Sequence, residues 1–389
     1  MLPELSKRLL DRWSQLPLDR PKPNRLTPLG MRTQVGDGYA RFFLLADREE
    51  SPCLVAKIPR EEAAWERLWR EWDVLEQYSQ DARPGLGDSV PRPVTMETIN
   101  ETPIFVTTAP PGRPMAPSRS RSASHFASVL DWLLRFNTAT RVQAPRMERA
   151  RQLQELLAQV TETFALASHQ ERLLQEWAEH LLHPSGETVD RFHVHGNLAS
   201  HNIWLQGRQV MVTNWEWAAQ DGLPLQDLFS FVTTYTFPTS RRLAKEDFVE
   251  RFRATILEDG PQAKLAAQAI RNYCRALGLP TDDLEAYFGL FLARAAVEEV
   301  TMLTAAAERG FLPLLKSRRD PARRPYTRAI REQLWITLLR EFMEKRHAFR
   351  RLLRVAHSGG PPLPVKAPAL ELESGLPVDP TGKPTVLVK

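Results

Sequence analysis

The stretch DRFHVHGNLASHNIWLQGRQVMVTNWEWAAQDGLPLQDL, residues 190–228, decides the reading of the chain. Arg191–Val194 is short and β-prone, and His195–His201 is a loop of small and polar residues. Asn202–Leu205 and Gln209–Val212 are apolar runs on either side of Gln206-Gly207-Arg208, the composition of a tight hairpin. The second run delivers Asn214-Trp215-Glu216, and Gln226–Tyr235 then reads as a helix. Two loops at the ends of neighbouring strands therefore present Asn197, Asn202, Asn214 and Glu216 to one cleft. Side-chain oxygens gathered in this way suit Mg²⁺ and phosphate.

His195-Gly196, Asn202, Trp215-Glu216 and then Asp227-Leu228 at a helix start follow one another in a fixed order and separation. On these residues the segment resembles the aminoglycoside phosphotransferase and choline kinase family, which has the protein-kinase-like fold. The family pattern runs H-G-D-x-x-x-x-N, a hairpin, I-D-W-E, and later a D-L that opens a helix. The resemblance implies ATP and Mg²⁺ as cofactors. It puts Asn197 at the position of the catalytic base, with His195 beside it as a residue that packs and bonds the backbone. Asn202, Asn214 and Glu216 fall at the metal positions.

Two departures from that pattern change the chemistry. The family has aspartate where this chain has Asn197, and again where it has Asn214. Shape is kept and two negative charges are removed. In phosphoryl transfer the first carboxylate accepts or orients the proton of the acceptor hydroxyl, and the second holds Mg²⁺ against the phosphates. An amide oxygen can orient a hydroxyl but cannot take its proton, and general-base help is worth about 10²–10⁴-fold. The reading that follows is a nucleotide-binding pseudokinase with weakened or lost transfer, acting with a protein partner. The alternative is a working kinase for a small hydroxylated acceptor, an amino sugar, sugar or amino alcohol, in which Glu216 supplies the missing carboxylate.

The N-terminal part fits the same frame. Residues 29–58 read as three antiparallel strands, with Gly36-Asp37-Gly38 in the first turn. The resemblance would lay Gly36 and Gly38 over the phosphates; a hairpin turn accounts for them equally well. Lys57 closes the apolar strand Leu54-Val55-Ala56-Lys57-Ile58, as does the kinase lysine that meets the α- and β-phosphates. Residues 60–79 follow as a helix with Ala64, Leu68, Trp72 and Leu75 along one stripe. In the resembled lobe this helix supplies the glutamate that pairs with the lysine; Glu71 is chosen, with Glu62 and Glu66 as competitors. Pro91–Thr98 and Thr102–Thr108 read as two more strands. They lead to a hinge where backbone near Thr108 would meet adenine.

The expected architecture is α+β and bilobal, protein-kinase-like. A helix and linker occupy residues 1–28, a small β-rich N-lobe 29–110, and a large helical C-lobe 111–355, and residues 356–389 form a proline-rich tail read as disordered. Helices are expected at 126–142, over 148–182 whole or broken, and near 225–236, 245–258, 262–277, 281–309 and 328–355.

Composition narrows the classes. The 389 residues are 42% hydrophobic and 25% charged, ordinary for a globular protein, with a net charge of +5. The two cysteines lie far apart and give neither a disulfide framework nor metal-ligand spacing. The charged N-terminus lacks a signal-peptide core, and no apolar run approaches the roughly 20 residues that span a bilayer. A cytoplasmic protein is expected, with no nucleic-acid partner. The dense basic patch 316–324 reads as a solvated loop between helices. His193, His195 and His201 lack the accompanying cysteine or carboxylate ligands of a zinc site. The ten tryptophans read mostly as lobe-packing residues.

Overall fold

The computed structural model describes all residues except 32–37, 84, 119, 183–186, 238–244, 309–332 and 356–389. Gly36, the basic patch 316–324 and the C-terminal tail therefore lie outside the described residues.

Five strands make one antiparallel sheet: β1 (Leu26–Met31), β2 (Tyr39–Ala46), β3 (Pro52–Pro59), β4 (Pro93–Ile99) and β5 (Thr102–Thr108), in the order β1-β2-β3-β5-β4. The period-2 alternation of each strand gives the sheet two apolar faces. On one face, Leu44, Leu54, Ala56, Ile104 and Val106 pack against Leu5, Leu9 and Trp13. These come from α1 (Leu2–Asp11) and the single turn Trp13–Gln15, so the N-terminal segment belongs to the lobe core. Arg12 Nη1 donates to the buried Glu97 Oε1 at 2.9 Å and ties this segment to β4. On the other face, Tyr39 and Phe105 meet Ala64, Leu68 and Trp72 of α2 (Glu62–Ser79). Lys57 of β3 lies opposite Phe105 in the β3–β5 register, on the α2 side of the sheet. The linker expected through Pro28 is shorter, because β1 begins at Leu26; it is an edge strand, where a proline costs no ladder bond.

The larger part is helical. The helices are α3 (Ser122–Thr140), α4 (Arg146–Thr163), α5 (Ser168–Leu182), α6 (Gln226–Thr234), α7 (Lys245–Phe252), α8 (Pro261–Leu277), α9 (Leu284–Glu308) and α10 (Leu334–Val355). Residues 148–182 are thus broken into two helices at Phe164–Ala167. The α3 side chains Phe126, Leu130, Leu133 and Phe136 are all buried in one core with residues of α5, α6, α8, α9 and α10. Short strands fill the gap beneath the β-rich lobe: β6 (Arg113–Pro114), β9 (Ile203–Gln206) and β10 (Gln209–Val212) form one sheet. β7 (Val142–Pro145), β8 (Thr188–Val194) and β11 (Ala219–Gly222) form another. The bilobal α+β class expected from the sequence is the one that forms. Five of the tryptophans, Trp13, Trp72, Trp132, Trp177 and Trp215, are core residues, but Trp65 and Trp69 on α2 are exposed.

Candidate functional site

The loop after β8 is held by its own backbone. Asp227, at the start of α6, accepts from the His195 N–H at 2.7 Å and the Gly196 N–H at 3.0 Å. Burial raises the Asp227 carboxyl to about 7, against the pull of these two N–H groups. Gly196 has φ +79°, and a Cβ there would run into the Trp217 carbonyl, so the tight approach requires glycine. His195 is fully buried; its Nε2 lies 3.0 Å from the Thr213 carbonyl and its Nδ1 3.2 Å from the Asn197 N–H. The first contact makes Nε2 the protonated nitrogen and the second makes Nδ1 an acceptor, which is the neutral ring. Burial holds its pKa down at about 4. Its edge packs on Trp215 with ring centres 4.7 Å apart. His195 is thus a scaffold of the loop, and no group of three or more metal-ligating side chains occurs among the described residues. His193 instead bonds the Tyr78 hydroxyl at 2.6 Å.

On the opposite wall, β3 carries Lys57 to Glu71 on α2. Lys57 Nζ lies 2.5 Å from Glu71 Oε2, and both side chains are buried. Glu71 is therefore the α2 carboxylate that reaches the lysine, rather than Glu62 or Glu66. Its other oxygen accepts from the Trp215 backbone N–H at 3.2 Å, which couples α2 to the chain just past β10. Burial raises the Glu71 carboxyl, an effect that Lys57 opposes.

Between the walls runs a chain of side-chain amides. Lys57 Nζ donates to Asn214 Oδ1 at 3.0 Å. Asn214 Nδ2 donates to Asn202 Oδ1 at 2.6 Å, and Asn202 Nδ2 donates to the Asn197 carbonyl at 2.8 Å. The lysine has only donors, so it fixes which way Asn214 points, and each amide then fixes the next. The side-chain oxygens of Asn202 and Asn214 are consequently both engaged within the protein. Asn214 adopts φ +69°, a left-handed conformation that asparagine tolerates better than most residues.

Glu216 is the remaining carboxylate. Its Oε1 accepts from the Tyr39 hydroxyl at 3.1 Å. Its Oε2 is buried, has no hydrogen-bond partner, and lies 3.6 Å from Lys57 Nζ. Burial pushes this carboxyl up, but Lys57 and Arg41 outweigh it and the net displacement is downward. Tyr39 and Arg41 are participants that sequence reasoning missed. Arg41 sits directly across from Lys57 in the β2–β3 register, and Lys57 Nζ lies 5.0 Å from the Tyr39 ring centre. The available signal was that register: once Lys57 faces inward, its cross-strand neighbour does too.

Gly38 has φ +67°, and a Cβ there would collide with the Glu61 carboxylate. The Thr108 N–H bonds the Arg92 carbonyl at 2.9 Å, and the Ala109 N–H bonds the Cys53 carbonyl at 3.0 Å, so both donors are used in the sheet. Asn197 is half-buried and borders a cavity of about 90 Å³ that Trp217, Arg294, Glu298, Glu299 and Trp335 also line. Burial raises the carboxyls of Glu298 and Glu299 each to about 7. Among the described residues no helix is long and apolar enough to cross a membrane.

No family model and no curated protein matches the chain. Among solved structures it is similar to a macrolide 2'-phosphotransferase from Brachybacterium faecium, with 17% identity over 78% of this chain and 97% of that one, at a TM-score of 0.43. It is also similar to a choline/ethanolamine kinase family protein from Mesorhizobium loti, with 15% identity over 91% and 99% of the two chains and a TM-score of 0.46. An aminoglycoside phosphotransferase from Streptomyces rimosus is similar at 17% identity over 73% and 96%, with a TM-score of 0.42.

Proposed function

We propose that this chain is a nucleotide-binding pseudokinase related to the small-molecule phosphotransferases, with phosphoryl transfer weakened or lost. The observation that carries this reading is the one-way amide chain from Lys57 through Asn214 and Asn202 to the Asn197 carbonyl. Mg²⁺ is held by oxygen ligands in strict octahedral geometry, and carboxylates supply most of the protein's share. Here two of the three protein oxygens aligned with the metal positions are amides, each already accepting a hydrogen bond. Freeing Asn202 Oδ1 for a metal would cost the Asn214 contact, and turning Asn214 would set its NH₂ against Lys57. Glu216 alone is a poor Mg²⁺ ligand set. The buried Lys57–Glu71 pair still offers an ammonium to a nucleotide phosphate, with Arg41 beside it.

Calorimetric titration of ATP with and without Mg²⁺, on the chain and on Lys57→Met paired with Glu71→Gln, tests this. Nucleotide binding that needs the lysine and not the metal is expected. Strict Mg²⁺ dependence would overturn it, and absence of binding would leave the fold without its ligand.

One observation favours a second reading, an active kinase for a small hydroxylated acceptor. Glu216 Oε2 is a buried anionic oxygen with no hydrogen-bond partner, 3.6 Å from Lys57 Nζ. If it holds Mg²⁺ in place of a carboxylate at 214, Glu216→Gln abolishes an ATP turnover that the unaltered chain already has.

A further inference from the structure

A cavity of about 910 Å³ lies between α5, α8, the start of α9 and α10. It has about ten times the volume of the one beside Asn197 and falls within the range of small-molecule sites. The two are distant: Glu285 borders one and Glu298 the other, and thirteen residues of one helix span about 20 Å.

Its walls are arginine-rich. Arg346, Arg350 and Arg354 recur every four residues on α10 and form one row, and Arg271 and Arg275 on α8 form a second. Five arginines thus face three carboxylates, Glu176, Asp282 and Glu285. Like charges four apart on a helix repel, so each row opposes its own helix. One carboxylate organises part of the cluster. Glu285 is buried, binds the Arg350 guanidinium through both oxygens, and lies 3.4 Å from Arg346 Nε. It does not neutralise the rest. Arg346 Nε is buried without a hydrogen-bond partner, and Arg354 has no hydrogen bond or ion pair among the described residues. Arg271 is held below its usual range by burial and by Arg275 beside it. The floor is apolar, with Leu173, Trp177, Leu284 and Leu353.

We propose that this groove binds a soluble small molecule carrying clustered phosphate groups, at a site separate from the nucleotide cleft. Guanidinium forks bind phosphate oxygens in pairs, and several around one concavity select clustered phosphates over a single one. The apolar floor takes the body that joins them. A membrane surface fits less well: among the described residues the exposed large apolar ones, such as Leu29, Trp65, Trp69 and Met147, lie elsewhere, and none of them borders the groove to insert into lipid.

The probe is inorganic tripolyphosphate, titrated calorimetrically into the full chain carrying Lys57→Met with Glu71→Gln. That pair removes the two charges of the buried Lys57–Glu71 contact together, and Glu216 keeps Arg41 and the Tyr39 hydroxyl. One tripolyphosphate per chain is expected. Adding Arg275→Gln and Arg354→Gln, both on exposed side chains, should weaken its Kd at least about tenfold, with melting curves to show that the fold is kept. The proposal is overturned if tripolyphosphate fails to bind at millimolar concentration, or binds equally well without the two arginines. It is also overturned if it binds only the chain with Lys57 intact, or if phosphatidylglycerol vesicles bind through these arginines and tripolyphosphate does not. Absence of ATP binding by the unaltered chain, with tripolyphosphate binding retained, would instead remove the pseudokinase reading and leave this site standing.

Discussion

The two walls of the cleft have been treated differently. On the sheet side, the charges of a phosphate anchor are all in place: Lys57 and Glu71 are buried in contact, with Arg41 across the strand. On the loop side, the shape is in place without the charge, and Asn197, Asn202 and Asn214 form a neutral chain. In the proposed reading the sheet side would hold a nucleotide, and the loop side a metal and a proton. The difference teaches that folding in this region depends on hydrogen-bond geometry, which an amide can reproduce, whereas transfer chemistry depends on charge, which it cannot.

Restoring the charge is the strongest way to break the contrast. Asn197→Asp with Asn214→Asp should raise Mg²⁺-dependent ATP turnover by about 10²–10⁴-fold, read by phosphate release. The new carboxylate at 214 offers only acceptors, so Asn202 must turn its NH₂ toward it and release the Asn197 carbonyl. No rise in turnover would mean that the loop wall lacks more than two charges.

Removing charge from the other wall comes next. Glu71→Ala leaves Lys57 buried with only Glu216 nearby and frees the Trp215 N–H, and denaturant unfolding should show a loss of about 3–5 kcal/mol. The neutral pair Lys57→Met with Glu71→Gln should cost clearly less. Equal costs would mean that shape rather than charge holds that wall as well.

The loop wall has its own pH signature. His195 in the folded chain has a pKa of about 4, below the 6.5 of the free group, so the folded state binds fewer protons between those values. Its contribution is present above pH 6.5 and lost as pH falls toward 4, with an upper bound of about 3 kcal/mol. Asp227, raised to about 7, acts in the opposite sense: it favours the folded state at low pH and loses that contribution as pH rises through 7. The His195 term is therefore read as the difference in melting temperature between the chain and His195→Gln, which should shrink on acidification. A constant difference would show that the ring does not titrate there.

The smallest effect sharpens the contrast. Asn202→Ala leaves Asn214 Nδ2 without its partner and leaves the Asn197 carbonyl only the Ala199 N–H, and should cost about 1–3 kcal/mol. ATP affinity should stay unchanged in the same calorimetric titration, because the sheet wall is untouched.

Much of this arrangement was legible in the sequence. The spacing of His195, Asn202, Trp215 and Asp227 placed the loop, and an apolar strand ending in lysine before a helix placed Lys57 and Glu71. What escaped was whatever tertiary pairing creates. Ala219–Gly222 reads Ala-Gln-Asp-Gly, which has no strand propensity, and becomes β11 because β8 offers it a ladder. Tyr39 and Arg41 are ordinary strand residues until the register sets Arg41 opposite Lys57. The direction of the amide chain exists only once a lysine fixes one end of it. The same holds for the two donors at Thr108 and Ala109, which the sheet takes up.

The left-handed backbone at Asn214 restricts how this position can change. Few side chains accept φ +69°; glycine, asparagine and aspartate do so most readily. Codons for asparagine and aspartate differ by one base. A saturation library at position 214, selected only for folding, should therefore collapse to a handful of survivors. The charged form of the site lies within that handful, a single nucleotide step from the neutral one.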